Sequence, residues 1–477
     1  MHDLYSINKP IMFSKETYTN RRNILKGLVN DGVLILLSGN EVPNNYPANV
    51  YYPFRPDSSY LYYFGIIRDG LAGVIDVESG EVALYGDDVD VADIVWTGPV
   101  ESLASQAEKV GVSKTGTFQQ FIDYVKAEQA KGRKIHFLPP HRHQEKLLLQ
   151  DVLGIHHTKQ TEAASVEFIK AVVKMRSVKE DQEIAEIEKA CEIGYKMHTA
   201  AMIAGKPGVT EKYVGAVVTG EAMKYGWQVS FPTILTMHGE IMHGGPQFKN
   251  IEDGRLVLCD AGCENENFYC SDHTRTFPSN GKFTQKQREI YSIVEACHDY
   301  VLDVAKAGIK WRDVHIEVCK RMTDGLKEIG LMKGDTEEAV ACGAHAMFMP
   351  HGLGHMMGMD VHDMEGLGQR YVGFKDSETP SDQFGLCYLR CGREVEEGFV
   401  MTDEPGIYFI PALIDDWKSQ HKFEQFINYD LLDTYRDFGG IRIEDDILIQ
   451  KDGCRFLGTS RIPYHPNDVE EFIAKNR

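Results

Sequence analysis

The feature that most constrains this chain is a set of hard polar side chains built into strand-like apolar runs of its last half. Asp260 ends the run Leu256 to Cys259, and Asp272 opens the return run through Phe277. Glu444 lies inside Gly440 to Leu448, Glu404 precedes Pro405-Gly406, and His355 closes a His-Gly-Leu-Gly-His turn. Each context fixes its side chain, so the fold must bring several charges to one face and supply something to balance them.

Asp260 and Asp272 are read together. Pairing of Arg255 to Gly262 with Cys270 to Phe277 around Glu264 to Asn267 sets the two carboxylates opposite one another on one sheet face. Such a pair is relieved by a raised pKa or by a cation between the groups. The bland alternative is an Asp that caps a turn and another on the surface. His351, His355 and His362 fall within one short stretch whose glycines argue for a loop entering a strand and against a helix, so one ring can ligate a metal while others handle protons. Arg442 and Glu444 share a face by alternation and could be an ordinary ion pair. Cys259, Cys263 and Cys270 lack the spacing of a structural zinc site and are assigned to packing. Four oxygen donors and one imidazole suit two divalent ions sharing carboxylates, with hardness favouring manganese, cobalt or iron over thiolate-held zinc. Hydrolysis by a metal-activated water is the chemistry such a set implies.

A chain of 477 residues with 43% hydrophobic content has material for two domains. The formal charge of -20 argues against nucleic acid or an anionic membrane as partner. Met1 to Arg22 shows no basic segment followed by an apolar stretch, and no later stretch has the length of a membrane span, so a cytoplasmic protein is expected. The ten cysteines all fall at or after Cys191, a distribution that reads as reduced thiols.

The first part alternates strand-like runs (Gly32 to Ser38, Gly73 to Val77, Val82 to Gly86, Ile135 to Leu138) with a helical pattern over Phe118 to Glu128, which predicts an α/β domain. Tyr51-Tyr52-Pro53-Phe54-Arg55 and Tyr60 to Phe64 read as aromatic core. The aperiodic stretch Lys159 to Ala164 marks a boundary, giving domains 1–163 and 164–477. Beyond it, Val178 to Ala204, Gln285 to Ala307 and Trp311 to Ile329 predict helices, packed on an antiparallel sheet whose inner face carries the site.

The order Asp260, Asp272, His355, Glu404, Glu444, with DAG, SDHTRTFP, PHGLGH, DVHD, DEPGIYF and GGIRIEDD around them, closely resembles the pita-bread metallopeptidases. Within that group the chain is similar to prolidase and aminopeptidase P: YYPFRPDSSYLYYFGI resembles their N-terminal domain and RSVKEDQEIAEIEKA the entry helix of the catalytic one. The resemblance implies an α/β N-terminal domain followed by an α+β pita-bread domain with a curved, mainly antiparallel sheet. It implies a dinuclear centre, most simply manganese with cobalt, iron or zinc as alternatives, held by Asp260, Asp272, His355, Glu404 and Glu444.

By the same resemblance Glu404 also shuttles the water proton, His243 and His362 orient the substrate and stabilise the oxyanion or leaving nitrogen, and Arg442 braces Glu444. The segment CYLRCGREVEEGFVMTDEPGIYFI is similar to prolidases, and Arg390 falls where they carry an arginine that holds the C-terminal carboxylate, a grip that His351 is expected to share. The implied activity is that of an Xaa-Pro dipeptidase on small proline-containing peptides, acting as a homodimer, with Xaa-Pro aminopeptidase as the alternative. The full ligand set disfavours a non-catalytic binding module and a metal-free amidinohydrolase. Two departures stand out. The interval from Asp260 to Asp272 is one residue longer than in known members, which calls for a bulge or a longer loop, and Thr236-Met237-His238-Gly239-Glu240 replaces the usual stretch before His243.

Overall fold

The computed structural model describes residues 11–46, 49–50 and 54–477, and the chain divides into two compact units, Met1–Met175 and Arg176–Arg477. The division falls within the helix Val166–Ser177, later than the polar stretch that marked it in the sequence. Phe168, Ile169 and Val172 of that helix are buried, and the Met175 carbonyl accepts a hydrogen bond from the Tyr62 hydroxyl at 3.3 Å, so these residues belong with the first unit. From Arg176 onward the partners change: Arg176 and Lys179 both pair with the buried Asp363, at 2.7 and 3.0 Å.

The first unit is built on a five-stranded sheet of β1 (Val33–Leu37), β2 (Ala72–Asp76), β3 (Val82–Tyr85), β4 (Lys114–Gly116) and β5 (Ile135–His136), in the order β4-β3-β2-β1-β5. The pairs β1–β2 and β2–β3 are antiparallel, while β3–β4 and β1–β5 are parallel. β1 and β2 are almost continuously apolar and buried, as strands covered on both faces must be. The helix Phe118–Ala130 begins in a capping box of Thr117 and Gln120. The aromatic stretch folds as the helix Ser58–Phe64, capped by Asp57, closed by Gly65 in the left-handed region (φ 64°), and buried at every position. Tyr51, Tyr52 and Pro53 lie outside the described residues.

In the second unit the strands are β6 (Gln228–Val229), β7 (Ile234–Thr236), β8 (Leu256–Ala261), β9 (Cys263–Glu264), β10 (His273–Pro278), β11 (Val400–Asp403), β12 (Gly406–Tyr408), β13 (Gly440–Arg442), β14 (Asp445–Ile449) and β15 (Cys454–Phe456). They form small sheets, β10-β8-β7, β11-β14-β15, β12-β13 and β6-β9, and their pairings are antiparallel. Glu444, between β13 and β14, bridges Thr274 of β10 and ties two of these sheets together. The expected helices occur as Asp181–Ala204, Gln285–Val304 and Trp311–Glu328. Gly194 interrupts the stripe of the first because a Cβ there would stand 2.8 Å from Nδ1 of His273, the neighbour of Asp272.

The hairpin carrying both aspartates corrects one expectation. Asp260 pairs with Thr274, so Asp272 is its diagonal neighbour on the same face rather than its opposite. The register continues unbroken through Ser271 N–H donating to the Cys263 carbonyl and Asn265 N–H donating to the Tyr269 carbonyl. The added length is taken up in the loop 266–268, which closes with Phe268 at φ 64°. A second close approach holds His355. Its N–H donates to the Thr402 hydroxyl at 3.0 Å and its carbonyl accepts from Thr402 N–H at 2.9 Å, which works only because a Cβ on Gly354 would lie 2.0 Å from the Thr402 carbonyl. Gly354→Ala should therefore cost about 1–3 kcal/mol through overpacking, read as a shifted denaturant midpoint, whereas Gly245→Ala, which meets nothing within 4 Å, should be neutral; equal midpoints for the two would contradict this packing.

Candidate metal centre and active site

All ten residues singled out in the sequence line one cavity of about 360 Å³ in the second unit: His243, Asp260, Asp272, His351, His355, His362, Arg390, Glu404, Arg442 and Glu444. The apolar side chains of Phe231, Ile234, Met242 and Val361 line the same cavity. β8 and β10 bring in Asp260 and Asp272, the end of β11 Glu404, and the break between β13 and β14 Glu444. Ligating atoms of Asp272, His355 and Glu444 lie within 4.8 Å of one another. His355 Nε2 stands 3.4 Å from an Asp272 oxygen and 3.9 Å from a Glu404 oxygen.

Crowding shapes the electrostatics. Burial pushes the Asp272 carboxyl well above the usual range, and the charges of Glu444, Asp260, Asp446 and Glu404 push it further. Glu444 is raised in the same way, by burial first and then by Glu404 and Asp260. Burial raises Glu404 to about 7 against the opposing pull of Arg442 and Arg390. His355 is held well below the usual imidazole value by burial and the nearby His362 ring, 4.4 Å away between centroids. Its Nδ1–H donates to the Met356 carbonyl at 3.1 Å, which leaves the Nε2 lone pair facing the carboxylates. One oxygen each of Asp260 and Asp272 is buried without a hydrogen-bond partner. Four crowded acids, an imidazole lone pair aimed at them and two orphan oxygens fit divalent cations.

Arg442 organises one wall. Its guanidinium donates to Asp260, to the Thr274 hydroxyl at 2.9 Å and to the Tyr408 hydroxyl at 2.9 Å, and it lies 3.7 Å from Glu444. Tyr408 in turn donates to His351 Nε2 at 2.8 Å, while His351 Nδ1–H donates to the Gly352 carbonyl at 2.7 Å. Both nitrogens of His351 are thus engaged, and burial lowers its pKa to about 3, so the ring is neutral. Arg390 differs: its Nε makes no hydrogen bond, with Glu365 3.6 Å away. His362 Nδ1 is 2.6 Å from Glu365, and His243 sits in an exposed turn at the cavity edge. Sequence reasoning missed Tyr408, Thr274 and Thr402. Tyr408 stood in the quoted DEPGIYF run, and its place two residues beyond Gly406 on a buried strand was the available signal.

A cavity lined by hard donors suited to paired divalent cations defines a metal-dependent hydrolase. Residues 185–451 match the model of metallopeptidase family M24, and residues 17–136 match the aminopeptidase P N-terminal domain. The chain belongs to metallopeptidase family M24 and is a metallopeptidase, with the divalent metal ions that the family implies. It is 30% identical to the Xaa-Pro dipeptidase of Rattus norvegicus, over 94% of this chain and 90% of that one. It is 31% identical to a probable Xaa-Pro aminopeptidase of Sordaria macrospora, over 89% and 88% of the two chains. Aminopeptidase P from E. coli with the inhibitor Pro-Leu superposes with a TM-score of 0.78 at 28% identity, covering 97% of this chain and 99% of the other. Among the described residues no helix is long and apolar enough to cross a membrane.

The cavity's acids set a pH dependence for the metal-free protein. A glutamate raised from its ordinary 4.5 to about 7 on folding contributes stability in full below 4.5 and loses it as pH rises through 7. With metal chelated, wild type should lose on the order of 1–3 kcal/mol relative to Glu404→Gln across that interval, measured by denaturant unfolding at several pH values. A difference that is flat or grows in favour of wild type would contradict the burial of this carboxylate.

Proposed function

We propose that the chain hydrolyses the Xaa-Pro bond of dipeptides, using two divalent cations, manganese by preference, held by Asp260, Asp272, His355, Glu404 and Glu444. The domain division proposed with it is an N-terminal α/β domain over 1–163 and a catalytic domain over 164–477. Bound there, the cations would supply an acidified water as nucleophile and a Lewis acid for the scissile carbonyl. Glu404, with a pKa near neutrality, accepts the proton of the attacking water and returns it to the leaving nitrogen. His243 and His362, both on the cavity wall, donate to the developing oxyanion or to that nitrogen. An Xaa-Pro bond is a tertiary amide without an N–H, so its recognition rests on shape and on the terminal charges.

The observation that carries the dipeptidase reading is Arg390, a guanidinium on the cavity wall with donor capacity left over. It grips the proline carboxylate. His351 works from behind, holding Tyr408 and through it Arg442, because both of its nitrogens are already bonded. Whole-chain similarity to aminopeptidase P supports the second reading, release of the N-terminal residue from longer peptides with Pro second. Ten free cysteines and the charge of -20 support a reducing, cytoplasmic setting, and the enzyme is proposed to act as a homodimer.

Glu404→Gln should lower kcat on the order of 100- to 10,000-fold, the usual share of a general base, with the fold intact by circular dichroism; near-normal turnover would remove Glu404 from the chemistry. Arg390→Ala, assayed with manganese, should reduce kcat/KM for Ala-Pro by about 10- to 100-fold, the worth of a charge-assisted hydrogen bond, and affect Ala-Pro-Ala far less. Equal losses on the two peptides would favour the aminopeptidase.

A further inference from the structure

A second group of ligating side chains lies apart from the cavity and is not used by the chemistry above. His315 and Cys319 stand one turn apart on the helix Trp311–Glu328, on the same face. His345 comes from the turn Ala344–Met347, which is directed by Gly343 in the left-handed region (φ 91°) and packs against that helix. His315 and Cys319 are fully buried and His345 is 2% exposed. One ligating atom from each lies within 4.8 Å of the others, and Cys319 Sγ is 3.5 Å from His315 Nε2.

Polar groups buried for packing alone find partners. Here Nδ1 of His315 and both nitrogens of His345 have none, although the Val340 carbonyl approaches the His345 ring. Burial lowers His315 to about 3 and His345 to about 4, so both rings are neutral and carry lone pairs. Burial pushes the Cys319 thiol up, with Cys297 adding to the effect. The other groups whose charge reaches the three are His351 and Arg312, and none is a carboxylate.

We propose that His315, Cys319 and His345 form a separate site for a soft monovalent ion, copper(I), bound through two imidazole nitrogens and one thiolate. Thiolate and imidazole are soft donors, unlike the oxygens of the cavity. Three donors satisfy copper(I), whereas structural zinc takes four. Charge decides in the same direction. One thiolate neutralises a monovalent ion, whereas a divalent one would leave an unpaired positive charge in a dry site. Binding breaks the Cys319 S–H bond, the proton leaves to solvent, and His315 Nε2 gives the metal the lone pair that had accepted that hydrogen. The copper enters and stays as copper(I), so no oxidant or reductant takes part.

The test uses the full chain with its cavity loaded with manganese and the exposed Cys342 and Cys387 changed to Ser, so that surface thiols do not compete. One equivalent of copper(I) is added without oxygen and its X-ray absorption recorded. The expected spectrum contains one sulfur at about 2.3 Å, the usual length of a metal–thiolate bond, together with nitrogen scatterers. Because no cysteine lines the cavity, a sulfur signal that Cys319→Ser removes is independent of the peptidase reading, whereas one supplied by Met242 would survive that change. Cys319→Ser should remove the sulfur, His345→Gln should lower copper affinity at least about 100-fold against a copper(I) chelator, beyond the range of lost outer-shell partners, and both should keep peptidase activity. A shell of nitrogen and oxygen alone in the parent protein, or a sulfur signal that survives in both variants, would overturn the site. Zinc(II) displacing copper(I) from the same sulfur would overturn the choice of ion.

Discussion

Carboxylate crowding in a cavity shielded from water is the constraint on which the rest of the second unit depends. Burial raises Asp260, Asp272, Glu404 and Glu444, and the charge of Asp260 pushes each of the other three up further. The folded chain tolerates this because the backbone carrying them cannot relax. Two come from adjacent antiparallel strands in fixed register, and Glu444 is pinned to Thr274 by a backbone bridge and by a side-chain hydrogen bond of 2.7 Å. Among the described residues Arg442 supplies the permanent cation in contact with Asp260, and its own ties to Thr274 and Tyr408 stop it from collapsing onto any single acid.

The acids come as neighbours in sequence and are sorted by the two-residue alternation of a strand. Glu404 faces the cavity, while Asp403 lies 3.7 Å from His298 on the far side. Glu444 faces the cavity, while Asp445 takes Arg275 at 2.9 Å and His298 at 3.1 Å. Burial alone would raise Asp445, yet Arg275, Arg461 and His298 together hold it well below the usual range. His298, which burial would lower, is brought to about 9 by Asp403 and its other acidic neighbours and is therefore a cation. The strands that present the cavity acids are thus clamped from behind by Asp445 with Arg275 and His298. Asp446 accepts Asp272 N–H at 2.9 Å and closes the arrangement on the hairpin side.

Local pattern reveals the parts of this design that are local. Alternation placed Arg442 with Glu444, the glycines of His351 to His355 gave a turn, and the apolar runs gave most strands to within a residue or two. Register is different. Whether Asp272 stands opposite Asp260 or diagonal to it depends on a loop closing at Phe268, and no period in the sequence encodes that. The role of Gly194 was equally hidden, because its reason is a ring on another element. Tyr408 reads as one more buried aromatic until His351 and Arg442 are seen on either side of its hydroxyl.

Charge in the cavity also couples metal to protons. Burial holds protons on Asp272 and Glu444 and raises Glu404 to about 7, so the metal-free cavity balances its acids with protons. Two divalent cations would take the place of those protons, cancelling four ionised acids and leaving the two guanidiniums in excess. On the proposed dipeptidase reading, that excess is what would meet a terminal carboxylate, with Arg390 setting where it would come to rest.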